Sequence, residues 1–203
     1  MRVEVFADVA CPFAHVSLRR LRSARAARGS DAELVVRAWP LELVNGQPLD
    51  PRHVASEVVD LRDQIVPDLF TAFDERSFPP SSVPAFGLAH AAYEVGVDVG
   101  EQVSVAIRDA LFEEGRPIAD SRVLTEIAAR YGLRMPDLDA ARASTVADWE
   151  EGRRRGVQGS PHFFVGAVGE FCPALHIEKR PEGGLRIERD EDRLHTFLDR
   201  ALG

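Results

Sequence analysis

Val3-Glu4-Val5-Phe6-Ala7-Asp8-Val9-Ala10-Cys11-Pro12-Phe13-Ala14-His15-Val16-Ser17-Leu18-Arg19-Arg20-Leu21 holds two periodicities that meet at a cysteine. Val3, Val5 and Phe6 form an extended, β-branched and aromatic run that breaks off at Asp8, whereas Phe13, Val16, Leu18 and Leu21 recur at helical spacing from Pro12 onward. Pro12 suits the first helical position, where its missing N–H costs nothing and its fixed φ fits the helix, so Cys11 falls at the N-cap or beside it. The unpaired N–H groups and positive dipole end of a helix favour thiolate over thiol, which makes Cys11 a candidate nucleophile with a lowered pKa. The competing reading is a small buried hydrophobe at a strand end, as most free cysteines are.

Outward from this stretch, residues 2–8 read as a central strand and 12–28 as a helix stopped by Gly29. Glu33 to Leu43 alternates through Leu34, Val35, Val36, Ala38 and Trp39 and reads as a second strand, completing a right-handed βαβ unit. From Asn45 to about Gly156 the period becomes helical, with segments near 52–62, 67–74, 84–95, 99–114, 121–131, 136–142 and 145–155. Pro79, Pro80 and Pro84 interrupt them with a rigid loop. The aromatics Phe70, Phe73, Phe78, Phe86, Tyr93 and Phe112 read first as core and second as the lining of a cavity.

Past Pro161, Phe163–Val165 and Gly169–Leu175 read as a hairpin, and 176–180 with 185–189 as a second one around Pro181-Glu182-Gly183-Gly184. Asp190 then caps a last helix through Leu194, Phe197, Leu198 and Leu202. Pairing residue 165 with 170 sets Cys172 opposite Phe163, two residues beyond Pro161, which makes a Cys11–Cys172 disulfide marginal.

Composition excludes several classes. A chain of 203 residues, 45% hydrophobic and 29% charged, suits one ordinary globular unit with room for an insertion. Its net charge of −8 argues against a nucleic-acid partner. The basic runs Arg19, Arg20, Arg22, Arg25, Arg28 and Arg153, Arg154, Arg155 read as solvated helix faces, the second alternatively as an attractor of an anionic substrate. No leader-like or membrane-length apolar run appears, so a cytoplasmic protein with no membrane partner and two free cysteines is expected. Cys11, Cys172, His162 and His176 have no recognised metal-ligand spacing, and no metal is expected.

A second motif, Gly156-Val157-Gln158-Gly159-Ser160-Pro161-His162-Phe163-Phe164-Val165, resembles the cis-proline loop of the thioredoxin superfamily, and Cys11-Pro12-Phe13 resembles its active-site helix start. About 150 residues between the two motifs is similar to the DsbA-like branch, which includes DsbA-type oxidoreductases, kappa-class glutathione transferases and 2-hydroxychromene-2-carboxylate isomerases. The resemblance covers essentially the whole chain. It implies an α/β, thioredoxin-like fold with a large helical insertion between strands 2 and 3 and an extra C-terminal β-hairpin: residues 1–44 and 156–203 as the thioredoxin-like domain and 45–155 as the inserted helical subdomain.

The same resemblance implies Cys11, Pro12 and Pro161 as catalytic, with Pro161 cis, and Phe13, Ala14, Gly159 and Ser160 as substrate-binding. One departure matters. Dithiol relatives have Cys-x-x-Cys, whereas Ala14 stands here at the fourth position, so the attacking group is kept without its resolving partner. Three functions follow. The first is a single-cysteine thiol-disulfide oxidoreductase that exchanges mixed disulfides of small-molecule or protein substrates through Cys11. The second is a thiol-dependent transferase or isomerase whose bound thiol is activated at the helix start, and the third a non-catalytic binding module. No tightly bound cofactor is expected; glutathione or another low-molecular-weight thiol is the implied co-substrate, and a homodimer is expected by analogy with the transferases. Asp8 reads equally as a proton acceptor near the thiol or as a cap. His15 points away from the motif and His162 into the sheet.

Overall fold

The computed structural model describes residues 1–202. Four strands, β1 (Arg2–Ala7), β2 (Glu33–Ala38), β3 (His162–Val165) and β4 (Val168–Phe171), form one sheet in the order β2-β1-β3-β4. β1 pairs parallel with β2 and antiparallel with β3, and β3 pairs antiparallel with β4. The crossover between β1 and β2 is helix α1 (Pro12–Arg28), which ends where Gly29 adopts φ 59°, a left-handed conformation that glycine enters without a Cβ penalty.

Strand alternation puts Val3, Val5 and Ala7 into the large core shared with α1, and turns Phe6 to the opposite face. There Phe6 meets Trp39 and Phe164 edge-on, at ring-centroid distances of 6.5 and 5.8 Å. Glu4, on the same face, accepts from Arg37 and Arg155, and the Arg155 guanidinium lies 3.9 Å from the Phe164 ring centroid. Arg155 is thus committed to the sheet, while the exposed Arg153 lies over Trp149 and the exposed Arg154 pairs with Glu151.

Between β2 and β3 the chain is helical: α2 (Leu41–Asn45), α3 (Pro51–Gln64), α4 (Val83–Val95), α5 (Val97–Phe112), α6 (Ser121–Arg130) and α7 (Leu138–Arg154). Asp50, Asp120 and Asp137 cap α3, α6 and α7 by accepting backbone N–H groups of their first turns. Three expectations are corrected. β2 stops at Ala38 rather than Leu43, because Pro40 has no N–H for a ladder and precedes α2. The segment 67–74 is not a helix: Phe70 sits at φ 61°, and only a 3₁₀ turn forms at Glu75–Ser77 before the prolines. Segments 136–142 and 145–155 are one helix, α7, since no breaker separates them.

Only part of the α1 arginine run is a solvated face: Arg28 is exposed, whereas Arg19, Arg20, Arg22 and Arg25 are partly buried. Arg22 and Arg25 converge on the buried Glu101 of α5, Arg19 pairs with Asp109 of the same helix, and Arg20 and Arg28 reach Glu191 and Asp199. These last two carboxylates belong to the final helix, α8 (Glu191–Leu202). Ion pairs with a half-buried partner are shielded from water and less weakened by salt than exposed ones. β5 (Leu175–Lys179) and β6 (Leu185–Arg189) form a separate hairpin, whose Leu185 and Ile187 N–H groups donate to Asp60 and Gln64 of α3.

The hairpin register also differs from expectation. Val165 pairs with Val168, two residues tighter than 165 with 170, because Gly166, at φ 59°, and Ala167 make a two-residue turn. Cys172 therefore lies opposite Pro161, to whose carbonyl its N–H donates at 3.0 Å.

Candidate active site

Cys11 is the N-cap of α1, with Pro12 at the first helical position and the Cys11 carbonyl accepting the His15 N–H. Its sulfur faces the loop before β3: the thiol donates to the Ser160 carbonyl at 3.3 Å, and the Ser160–Pro161 bond is cis. The two motifs, 149 residues apart, meet through this contact. A second bond fixes the same loop, the Asp8 N–H donating to the Ser160 hydroxyl at 2.9 Å. Gly159 carries no Cβ where one would stand 2.7 Å from the Phe171 ring, so the loop lies flat on β4.

Asp8 is the hub beneath the thiol. Its carboxylate accepts the Ala10 N–H at 2.9 Å, the Ser82 hydroxyl at 2.8 Å and the Leu41 N–H at 2.7 Å. The first bond shapes the Cys11 turn, and the other two tie that turn to the start of α4 and to α2. The Asp8 carbonyl accepts from Arg108 of α5. A carboxylate spending both oxygens on such donors positions the Cys11 turn; none of these donors is an N–H of α1, so Asp8 does not cap that helix. Burial raises its pKa, against the pull of these hydrogen bonds.

The expectation of an activated thiolate is corrected. Cys11 is 4% exposed, and burial pushes its thiol up to about 12; the Ser160 contact and the Ala14 N–H work the other way, while Glu57 and Asp8 add repulsion. Desolvation of a charge in an apolar setting outweighs the helix terminus here. Glu57, on α3, is itself raised to about 7, first by burial and then by Asp60. Phe13 and Ala14 are buried in the core behind the cysteine.

Cys172 is free and buried, with its thiol pushed up to about 11 by burial and Ser17 of α1 as its polar neighbour. His15 is enclosed between Phe70 and Phe112 and bonds Glu113 at 2.6 Å. His162 stacks on Phe164 and accepts the Gln158 N–H at Nδ1. Of the insertion aromatics, Phe70, Phe78, Phe86 and Phe112 are core. Sequence reasoning did not reach Ser82, Arg108 or Glu57. Ser82 stands two residues before Pro84 at a helix start and Arg108 sits in an ordinary amphipathic helix, so neither carries a local signal.

A helix-capping cysteine set against a cis-proline loop, on a thioredoxin sheet with helices inserted between β2 and β3, defines a thioredoxin-fold protein of the DsbA kind. Residues 2–180 match the DSBA-like thioredoxin domain, and the chain belongs to that family. Among solved structures it is similar to the cytosolic disulfide reductase DsbM from Pseudomonas aeruginosa, with TM-score 0.65 and 18% identity over 98% of this chain and 97% of that one. It is also similar to a probable DsbA oxidoreductase from Streptomyces coelicolor, with TM-score 0.63 and 26% identity over 84% and 82% of the two chains. A 2-hydroxychromene-2-carboxylate isomerase aligns with TM-score 0.63 and 17% identity over 84% and 88%. No curated protein matches the chain. None of its helices among the described residues is long and apolar enough to cross a membrane.

Proposed function

We propose that the protein is a single-cysteine thiol-disulfide oxidoreductase that exchanges mixed disulfides through Cys11. The observation that supports this reading most is the 3.3 Å contact between the Cys11 sulfur and the Ser160 carbonyl, beside the loop where an extended thiol-bearing ligand has backbone to pair with. The thiol is protonated at rest, so reaction starts when a ligand docks along Gly159 and Ser160 and the thiol gives up its proton to solvent. The Cys11 thiolate then attacks one sulfur of a disulfide R–S–S–R′, forming Cys11–S–S–R and expelling R′S⁻, which takes up a proton. A second thiol attacks the mixed disulfide, releasing R as a new disulfide and restoring Cys11. Ala14 removes the internal alternative.

In this reading glutathione or another low-molecular-weight thiol is the co-substrate, the setting is cytoplasmic, and the chain works as a homodimer. DsbM, a fold relative, has also been solved with glutathione. The raised Cys11 thiol favours a second reading, in which the helix start activates the sulfur of a bound thiol, as for a transferase or isomerase.

Incubation with oxidised glutathione followed by peptide mass spectrometry tests the first reading. The expected result is a glutathionyl adduct on Cys11 that reduced glutathione removes. Absence of that adduct, with saturable glutathione binding by Cys11→Ser, transfers the assignment to the second reading.

A further inference from the structure

The loop that faces the Cys11 sulfur is held residue by residue before its proline. The Val157 N–H donates to the Gly152 carbonyl of α7 at 2.9 Å, Gly159 lies on the Phe171 ring, and the Ser160 hydroxyl accepts the Asp8 N–H. Between them, the Gln158 N–H donates to Nδ1 of His162 at 3.1 Å. His162 opens β3 directly after the cis Ser160–Pro161 bond, so its ring reaches back over the loop that its own backbone continues. The first three holds are backbone, hydroxyl and ring contacts, which no proton near neutral pH alters. The fourth is different. A backbone N–H can only donate, so Nδ1 carries no proton and the ring is the neutral tautomer with its hydrogen on Nε2. A second proton would set one N–H against another and break the bond.

The surroundings keep the ring in that form. His162 is 5% exposed and stacks on Phe164, with ring centroids 4.8 Å apart. Nε2 lies toward Gly169 of β4, where a Cβ would stand 2.8 Å from it. Three charged groups face this side of the sheet. Arg155, at the end of α7, lies over the Phe164 ring; Glu170 of β4 pairs with Arg193 and Arg200 of α8; and Glu4 of β1 pairs with Arg37 and Arg155. Burial first and Arg155 second hold the imidazole below its ordinary pKa, against Glu170, so it accepts the Gln158 N–H throughout the neutral range.

We propose that His162 is a positioning residue for the reaction at Cys11: its neutral ring clamps Gln158 and so sets the Gly159–Ser160 backbone beside the sulfur, and proton uptake by the ring releases that backbone. Gln158 stands two residues before Ser160, whose carbonyl takes the Cys11 thiol. The inference rests on the reading of Cys11 as the exchanging thiol and adds to it a control by acid.

NMR on the full wild-type chain tests the clamp without any variant. At neutral pH the His162 Nδ1 is expected to carry no proton, and on acidification the Gln158 amide signal moves with the His162 ring at one shared midpoint below 6.5. The reaction is read with the mixed disulfide of glutathione and 2-thiopyridine, which transfers its glutathionyl group to Cys11 and releases the thione. His162→Leu, which has no acceptor, is expected to react about fivefold or more slowly at neutral pH, as for one lost hydrogen bond. His162→Asn, whose Oδ1 accepts where Nδ1 does, restores the rate to within about twofold. That variant lacks the imidazole, so the ratio of the wild-type rate to its rate is level above neutrality and falls about fivefold below the shared midpoint. A proton on Nδ1 at neutral pH, a Gln158 signal that ignores the His162 titration, His162→Leu as fast as the wild type, or His162→Asn as slow as His162→Leu each overturns the proposal while a normal adduct leaves the exchange reading standing. A wild type that takes no glutathionyl group overturns the exchange reading, and the positioning role with it, whatever the ring signals show.

Discussion

The Asp8 carboxylate accepts the Ser82 hydroxyl at 2.8 Å, a buried bond across 74 residues that fastens the cysteine turn to the first turn of α4. The thioredoxin-like sheet and the inserted helices thereby share one polar junction directly under Cys11. Ser82→Ala removes one donor and is expected to cost about 1 to 2 kcal/mol, whereas Asp8→Ala strands the Ala10 and Leu41 N–H groups as well and costs about 2 to 4 kcal/mol. Urea unfolding of the two variants measures the difference, and equal losses would show that Asp8 does not organise the junction.

Cys11 alkylation is expected to be slow at neutral pH and to rise toward a midpoint well above the free-cysteine value of about 8.5, since burial holds the thiol up near 12. Glu57 repels the thiolate, so Glu57→Gln moves the midpoint down. Rates read by mass spectrometry against pH, with Cys172→Ser as background, check both statements. A wild-type midpoint below the free value would contradict the burial argument.

Glu57 also links stability to pH. Its folded-state pKa is raised from 4.5 to about 7, so across that interval the folded chain binds more protons than the unfolded one and stability falls as pH rises. Above about pH 7 the loss is complete, and it is absent below 4.5. Glu57→Gln is expected to gain on the wild type by on the order of 2 kcal/mol between the two limits. Parallel stability profiles from denaturant titrations at several pH values would refute the linkage.

Gly152 of α7 approaches the sheet so closely that a Cβ would lie 2.6 Å from the Trp39 ring and 3.0 Å from Phe6. Alanine gains up to about 1 kcal/mol of helix propensity over glycine, but it collides with two rings that are themselves locked by Phe164. Gly152→Ala is expected to destabilise by about 1 to 3 kcal/mol net, and a raised melting temperature would show that the rings can yield.

Arg22→Ala and Arg25→Ala test the junction between α1 and α5, where both guanidinium groups share Glu101. Because Glu101 stays buried with one partner left, each single loss is expected at about 1 kcal/mol and the double variant at more than the sum. A thermal-unfolding double-mutant cycle reads the coupling; additivity would mean that the two pairs act separately.

The amino-acid sequence determined the local grammar of the molecule. Val3, Val5 and Phe6 against Pro12, Phe13 and Val16 marked a strand turning into a helix at Cys11, and Gly29 marked its end, because period, proline and glycine act within a few residues. The Ser160-Pro161 pair and the absence of a cysteine at Ala14 were equally legible as motifs. The tertiary structure alone decided what surrounds the sulfur. Whether Cys11 is a thiolate depends on water, and water is excluded by elements far away in the chain, so the helix-terminus argument was outweighed by burial. The same holds for the α1 arginines, which resemble a solvated face until Glu101, Asp109, Glu191 and Asp199 are folded against them. It holds again for Arg108, which the fold brings against the Asp8 carbonyl across 100 residues, and no run of neighbouring residues encodes that contact.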